Sequence, residues 1–203
     1  MKTMQSNSDE FDEVQSIQVI KEMIQVSHRK LKNDGILFII WGWISFITYL
    51  LEFIVQNVPH TYQITLIKGY TTTVLAIAGL VVTVIYLYRQ SRKATTYIGI
   101  SLRYVWLSMF AGMVLINLIQ ANVLHKITFE LQLPIFMVLI SIAIVVTGGI
   151  IRHKMVIAGG IVFGLLAYLA SFFALHHQLI IEAIAWIIAF IIPGHMLFAK
   201  RKG

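Results

Sequence analysis

MVIAGGIVFGLLAYLASFFALHHQLIIEAIAWIIAF, Met155–Phe190, is the stretch that decides the fold: two long apolar runs separated by His176-His177-Gln178, with Glu182 as its one charged side chain. About 20 residues of α-helix cross the roughly 30 Å of hydrocarbon in a bilayer, so the stretch reads as two spans. A break that short makes the helices on either side antiparallel neighbours. The break before it, Arg152-His153-Lys154, is equally short, so three successive spans form one up-down-up unit.

The rest of the chain continues the pattern. Of its 203 residues, 58% are hydrophobic and 12% charged, and the mean hydropathy is +0.81. A soluble domain of that size would expose too much apolar surface. Windows of span length fall at approximately 36–55, 69–88, 104–124, 133–151, 155–175 and 179–199. The expected fold is therefore all-α: a polytopic transmembrane bundle of six helices behind an N-terminal cytoplasmic amphipathic helix. Residues 1–34 form the head, 35–199 the six-span domain and 200–203 a basic tail. The start, MKTMQSNSDEFDEVQ, lacks the basic and apolar regions of a secretory signal peptide. With no cysteine, disulfides and thiolate metal sites are excluded.

Lysine and arginine set the expected orientation. Thirteen of the 16 basic residues lie in the head, in the second break (Arg89, Arg92, Lys93), in the fourth (Arg152, Lys154) and in the tail. Lys68 and Lys126 lie on the other side, and Arg103 sits at or inside the start of the third span. The positive-inside rule places both termini in the cytoplasm. The net charge of +7 follows from this orientation, so no nucleic-acid partner is implied.

The head reads as a helix over about 8–32. Ser8 can cap it, acidic residues crowd its first turns and basic ones its last, and Asn33-Asp34-Gly35 stops it. Val14, Ile17, Ile20, Ile24 and Leu31 form one apolar face. That face can cover the bundle, lie on the bilayer or bind a partner protein.

Inside the spans, Gly148, Gly149, Gly159, Gly160 and Gly164 offer close approach of the fourth and fifth helices, or a dimer contact. Pro193, followed by Gly194, cannot donate to the Ala189 carbonyl, so the sixth helix should kink or loosen there. His195 beside it is either an interfacial histidine or part of a gating element.

His60, His125, His176 and His177 fall in breaks on the outer side, near Glu52, Glu130 and Glu182. Imidazole and carboxylate ligate zinc-like ions, which makes His176, His177 and Glu182, with His60 or His125, a candidate metal site. No HExxH or HxxxH spacing supports it, and no cofactor is predicted. The alternative is a solvated rim, with Glu182 one turn inside the sixth span, reaching the interface beside Trp186 or bonding Gln178. On that view no ionisable group lies deep in a span, which weighs against an ion or proton pump.

The succession of LKNDG, LFIIWGWISFITYL, MVIAGGIVFGLLAYLASFF and IIAFIIPGHMLFAKRKG resembles a group of small integral membrane proteins of Bacteroidota. The shared elements are Trp41-Gly42-Trp43, Gly159-Gly160 and Ile192-Pro193-Gly194. The resemblance implies the six-span architecture and carries no activity or catalytic residue. Three functions follow: a non-enzymatic scaffold, sensor or regulator acting through the head helix; a small transporter or channel for a neutral or lipophilic substrate; and a metal-dependent membrane enzyme using the outer histidines. Partners are the lipid bilayer and a protein at the head helix, and the oligomeric state is left open.

Overall fold

The computed structural model describes residues 35–58, 62–91 and 97–199. The expected head helix with its face of Val14, Ile17, Ile20, Ile24 and Leu31, together with His60, Arg92, Lys93 and the tail, lies outside the described residues. Among the described residues six helices follow one another: α1 Ile36–Gln56, α2 Tyr62–Ser91, α3 Tyr97–Leu124, α4 Phe129–Ile150, α5 Lys154–Ala170 and α6 Leu175–Ala199. Five are long and apolar enough to cross a membrane; α5, at 17 residues, spans about 25 Å at 1.5 Å per residue. No strand occurs among the described residues.

α4 and α5 form the tightest pair, joined through a turn that wraps the end of α4. The N–H groups of Arg152 and His153 bond back to the carbonyls of Gly149 and Gly148 at 3.1 and 2.9 Å, with Arg152 left-handed at φ 53°. Gly160 and Gly164 allow the contact: a Cβ on Gly160 would meet Val145 Cγ2 at 2.7 Å, and one on Gly164 would meet Ser141 Oγ at 2.6 Å. Gly148 faces Ile157 in the same seam. Gly159 turns instead to Ala189 of α6, and Gly149 faces open space. Adjacent helical residues point about 100° apart, so a Gly-Gly pair cannot serve one neighbour with both members.

α6 lies between α1 and α5 and carries the core. Phe163, Trp186 and Phe190 pack edge to face or tilted, joined by Phe38 of α1 and Trp106 of α3. At Pro193 the expected loosening takes the form of a π turn over Ile187–Ile191, after which the helix resumes to Ala199. A missing N–H frees a carbonyl one turn upstream, and a widened turn absorbs it. Two glycines seat the turn. A Cβ on Gly42 would come within 2.9 Å of Phe190 Cβ, and one on Gly159 within 3.1 Å of Ala189 Cα. His195 is exposed, its Nδ1 2.8 Å from the Ile191 carbonyl.

α2 packs on α1 and α3 on α4, at the two flanks of the bundle. Their outer residues, including Ile67, Tyr70, Val74, Val84, Leu107, Leu118 and Val123, are apolar and exposed, while Gln132, Gln178 and Glu182 are buried. Apolar surface outside with polar groups inside is the distribution that a lipid solvent favours. Arg103 lies about 9 Å from the start of α3 and is exposed, in a position to reach the interface along its own stem.

Span boundaries shift from the sequence expectation by four or more residues at five helices, α4 among them, which starts at Phe129 and not 133. α2 and α3 each begin seven residues earlier than 69 and 104, α5 stops at Ala170 and not near 175, and α6 starts at Leu175 and not 179. The α5–α6 turn consists of Ser171, whose hydroxyl donates to the Tyr168 carbonyl at 2.7 Å, and of Phe172, Phe173 and Ala174. Three of those four are apolar, so hydropathy cannot register where the backbone hydrogen bonds stop.

Candidate functional site

α1 and α2 run antiparallel and touch at both ends of a shallow cleft. At one end Lys68 Nζ donates to Glu52 Oε1 at 2.9 Å. At the other, Trp41 Nε1 donates to Thr83 Oγ1 at 3.0 Å, beside Gly79, where a Cβ would strike Ile44. Between these contacts lies a cavity of about 370 Å³, open along one side and lined by Trp41, Ile44, Ser45, Thr48, Tyr49, Thr72, Thr73 and Ala76. The spacing explains the arrangement. Residues 41, 45, 48 and 52 share one face of α1, and 72, 76, 79 and 83 share one face of α2. Both stripes combine small residues, which bring the helices together, with hydroxyls, and the α1 stripe adds the Trp41 ring.

Hydroxyls in helices usually bond back to their own carbonyls, as Thr72 does to Lys68 at 3.0 Å and Thr83 to Gly79 at 2.7 Å. Ser45, Thr48 and Thr73 make no hydrogen bond among the described residues. Ser45 and Thr48 lie near mid-length of α1 and Thr73 near that of α2, so these hydroxyls face the cleft deep within the span lengths.

Tyr49 joins the cleft to the bundle interior, because it lines the cavity and also faces the carboxyl of Glu182 on α6. Glu182 is 0% exposed. The Tyr49 hydroxyl and the Trp186 indole N–H are directed at it, but neither reaches ordinary hydrogen-bond geometry, and both carboxyl oxygens lack a formal partner among the described residues. The solvated placement expected from sequence is therefore corrected. α6 starts at Leu175, which puts Glu182 two turns down the helix, and the turn of the helix aims it at α1. Gln178 does not bond Glu182; its Nε2 donates to the backbone carbonyls of Glu130 at 3.0 Å and Phe173 at 2.8 Å.

The outer-face histidines go elsewhere. His176 stacks on Phe53 of α1 at 4.4 Å between ring centroids, and His177 is exposed, edge-on to His176 at 5.3 Å. Five and six positions along a helix put Glu182 about 140° and 120° round from His177 and His176. Among the described residues no group of three or more His, Asp or Glu is placed to hold a metal ion. His125, at φ 53°, sits in the α3–α4 turn.

A second polar seam lies between α3 and α4, where Gln132 Nε2 donates to Asn117 Oδ1 at 2.8 Å and the Thr128 N–H to Gln120 Oε1 at 3.1 Å. Asn117 and Ser108 thus stand apart from the cleft, Asn117 satisfied across a helix pair and Ser108 bonded to its own Val105 carbonyl at 2.9 Å. Tyr49 carried no signal as a single residue, since a tyrosine near a span end reads as a belt residue. The paired stripes of α1 and α2 were the signal that locates the cleft. The chain matches no known protein-family profile, no curated protein and no solved structure.

Proposed function

We propose that this chain is a six-span inner-membrane protein of bacteria, with both termini cytoplasmic, that carries a small uncharged molecule in the cleft between α1 and α2. The observation that supports this most is the set of unpartnered hydroxyls, Ser45, Thr48 and Thr73, facing a cavity of about 370 Å³ between two polar cross-links. That volume lies within the usual range of small-molecule sites, about 300–1,000 Å³. The lining holds no Asp, Glu, Lys, Arg or His, since Lys68 and Glu52 neutralise each other at the end. The chemistry favoured is an apolar body, covered by Trp41 and Tyr49, with one or two hydrogen-bonding groups for the hydroxyls. An acyl chain of a bilayer lipid offers the first and not the second. The scaffold reading has its carrier in the head, outside the described residues, and the six spans and orientation remain as the charge pattern and the resemblance to the Bacteroidota group suggest them.

The test is native mass spectrometry of the protein extracted from membranes, wild type beside Thr48→Trp, a substitution that fills the cavity from α1. A small polar-headed species retained by the wild type and absent from Thr48→Trp is expected. Identical bound species in both, or bilayer phospholipid alone, would remove the cleft as the site.

A further inference from the structure

Gln178, Glu182 and Trp186 recur at four-residue steps on one face of α6 and are all buried. All three carry polar atoms without partners among the described residues: Gln178 Oε1, both Glu182 oxygens and Trp186 Nε1. Unsatisfied buried polar groups in a column are rare, because each costs the desolvation of the group with nothing in return. Side chains four apart on a helix are about 6 Å apart at their bases, within reach of one another directly or through one water.

The chemistry of the column is ordered. Gln178 Oε1 can only accept, Trp186 Nε1 can only donate, and the carboxyl between them can do either according to whether it holds a proton. Protonated, Glu182 would offer an O–H to Gln178 Oε1 and a carbonyl oxygen to the Trp186 N–H. Ionised, it would draw on the Tyr49 O–H and the Trp186 N–H, which are directed at it but stand outside hydrogen-bond geometry. Each state has its own set of partners, and the Gln178 acceptor is matched in one state alone. Gln178 is also the residue between Glu182 and the exposed rim at His177, in the first turn of α6.

We propose that Glu182 is an exchangeable proton-binding site, loaded from the end of the bundle that carries the α5–α6 turn by water held against Gln178 Oε1, which accepts a hydrogen bond and does not itself carry the proton. The groups around it leave this site to itself. From α1, Tyr49 faces it, while Glu52, one turn further on, is turned to Lys68 of α2. From α4, Glu130 stands at the head of α6, its carbonyl bonded by Gln178 and its Oε1 3.5 Å from the Leu175 N–H. α5 contributes no Asp, Glu, Arg or His, and its Lys154 lies at the opposite end. A buried ionisable group in a membrane-crossing helix is the commonest mark of a proton or ion path. The site stands whether or not the α1–α2 cleft is occupied.

The experiment is infrared difference spectroscopy on the full chain in nanodiscs, following the C=O stretch of a protonated carboxyl through a pH titration and through transfer from H2O to D2O. The wild type is expected to show a band that titrates reversibly, shifts in D2O within the mixing time, and is absent from Glu182→Gln. If Glu182→Gln fails to fold, Glu182→Asp keeps a carboxyl and moves the band. Gln178→Leu leaves Glu182 in place, and it should keep the band while slowing its deuterium shift at least tenfold. A band that never exchanges or titrates would overturn the proposal, making Glu182 a sealed structural acid. Exchange as fast in Gln178→Leu as in the wild type would overturn the route.

Discussion

Replacing Gly160 with alanine should loosen the α4–α5 hairpin, whereas the same change at Gly149, in the same hairpin, should not. A Cβ on Gly160 meets Val145 Cγ2 at 2.7 Å, the Val145 backbone nitrogen at 2.9 Å and Ile144 Cγ2 at 3.1 Å; one on Gly149 meets nothing within 4 Å. Carbon atoms pack best at about 3.5–4.0 Å. The Val145 side chain can rotate, but its backbone nitrogen cannot, so the helices must part by roughly 1 Å or bend. Overpacking of that kind costs about 1–3 kcal/mol. Alanine is also the better helix former by roughly 1 kcal/mol, a gain common to both sites. Gly149→Ala should therefore be about 1 kcal/mol more stable than wild type and Gly160→Ala up to about 2 kcal/mol less stable, a separation of about 1–3 kcal/mol. Reversible unfolding in mixed micelles, followed by far-UV circular dichroism, measures both. Equal stabilities would refute the account of the α4–α5 seam, because the propensity gain cancels and only the clash distinguishes the variants.

Arg152 holds a left-handed conformation at φ 53°, which costs a non-glycine residue roughly 1–2 kcal/mol, so Arg152→Gly should raise stability by about 1 kcal/mol in the same unfolding assay. Asn117→Ala removes the acceptor of Gln132 Nε2 in a buried seam and should cost about 1–3 kcal/mol, while replacing both residues by leucine should recover part of that loss. The chain has no cysteine, so single cysteines report orientation: Ala174→Cys should react with an impermeant maleimide added outside intact cells, and Lys154→Cys should react only after the membrane is opened. The reverse pattern would invert the orientation that the basic residues predict.

The all-helical character was legible from composition, because long uncharged runs leave little alternative in a bilayer. Helix ends were less so. Phe172 and Phe173 suit lipid as well as any helical residue, and only Ser171 marks where the backbone ladder breaks. That four-residue error hid the most informative residue of the chain. Glu182 reads as a rim group when α6 starts at 179 and as a buried one when it starts at 175. Its direction toward Tyr49 depends on how α1 and α6 pack, which depends in turn on Gly42 admitting the π turn. Pro193 announced a loosened helix, but a single missing N–H does not say whether the result is a kink or a widened turn. Ser45, Thr48 and Thr83 are polar, and Ala76 and Gly79 small, within otherwise apolar helices. Their meaning lay in registration between two antiparallel helices, with Glu52 against Lys68 and Trp41 against Thr83. The histidines attracted attention by residue type, and helix geometry sends them away from the carboxylate.

The most direct measurement is an experimental structure of the protein purified from its membrane into nanodiscs, inspected between α1 and α2. Non-protein density is expected in the cleft, with polar atoms within hydrogen-bond distance of Thr48 and of Ser45 or Thr73, and with the Lys68–Glu52 and Trp41–Thr83 contacts intact on either side. Helices α1 and α2 closed directly on each other, or acyl-chain density there no different from that around the rest of the bundle, would contradict that expectation.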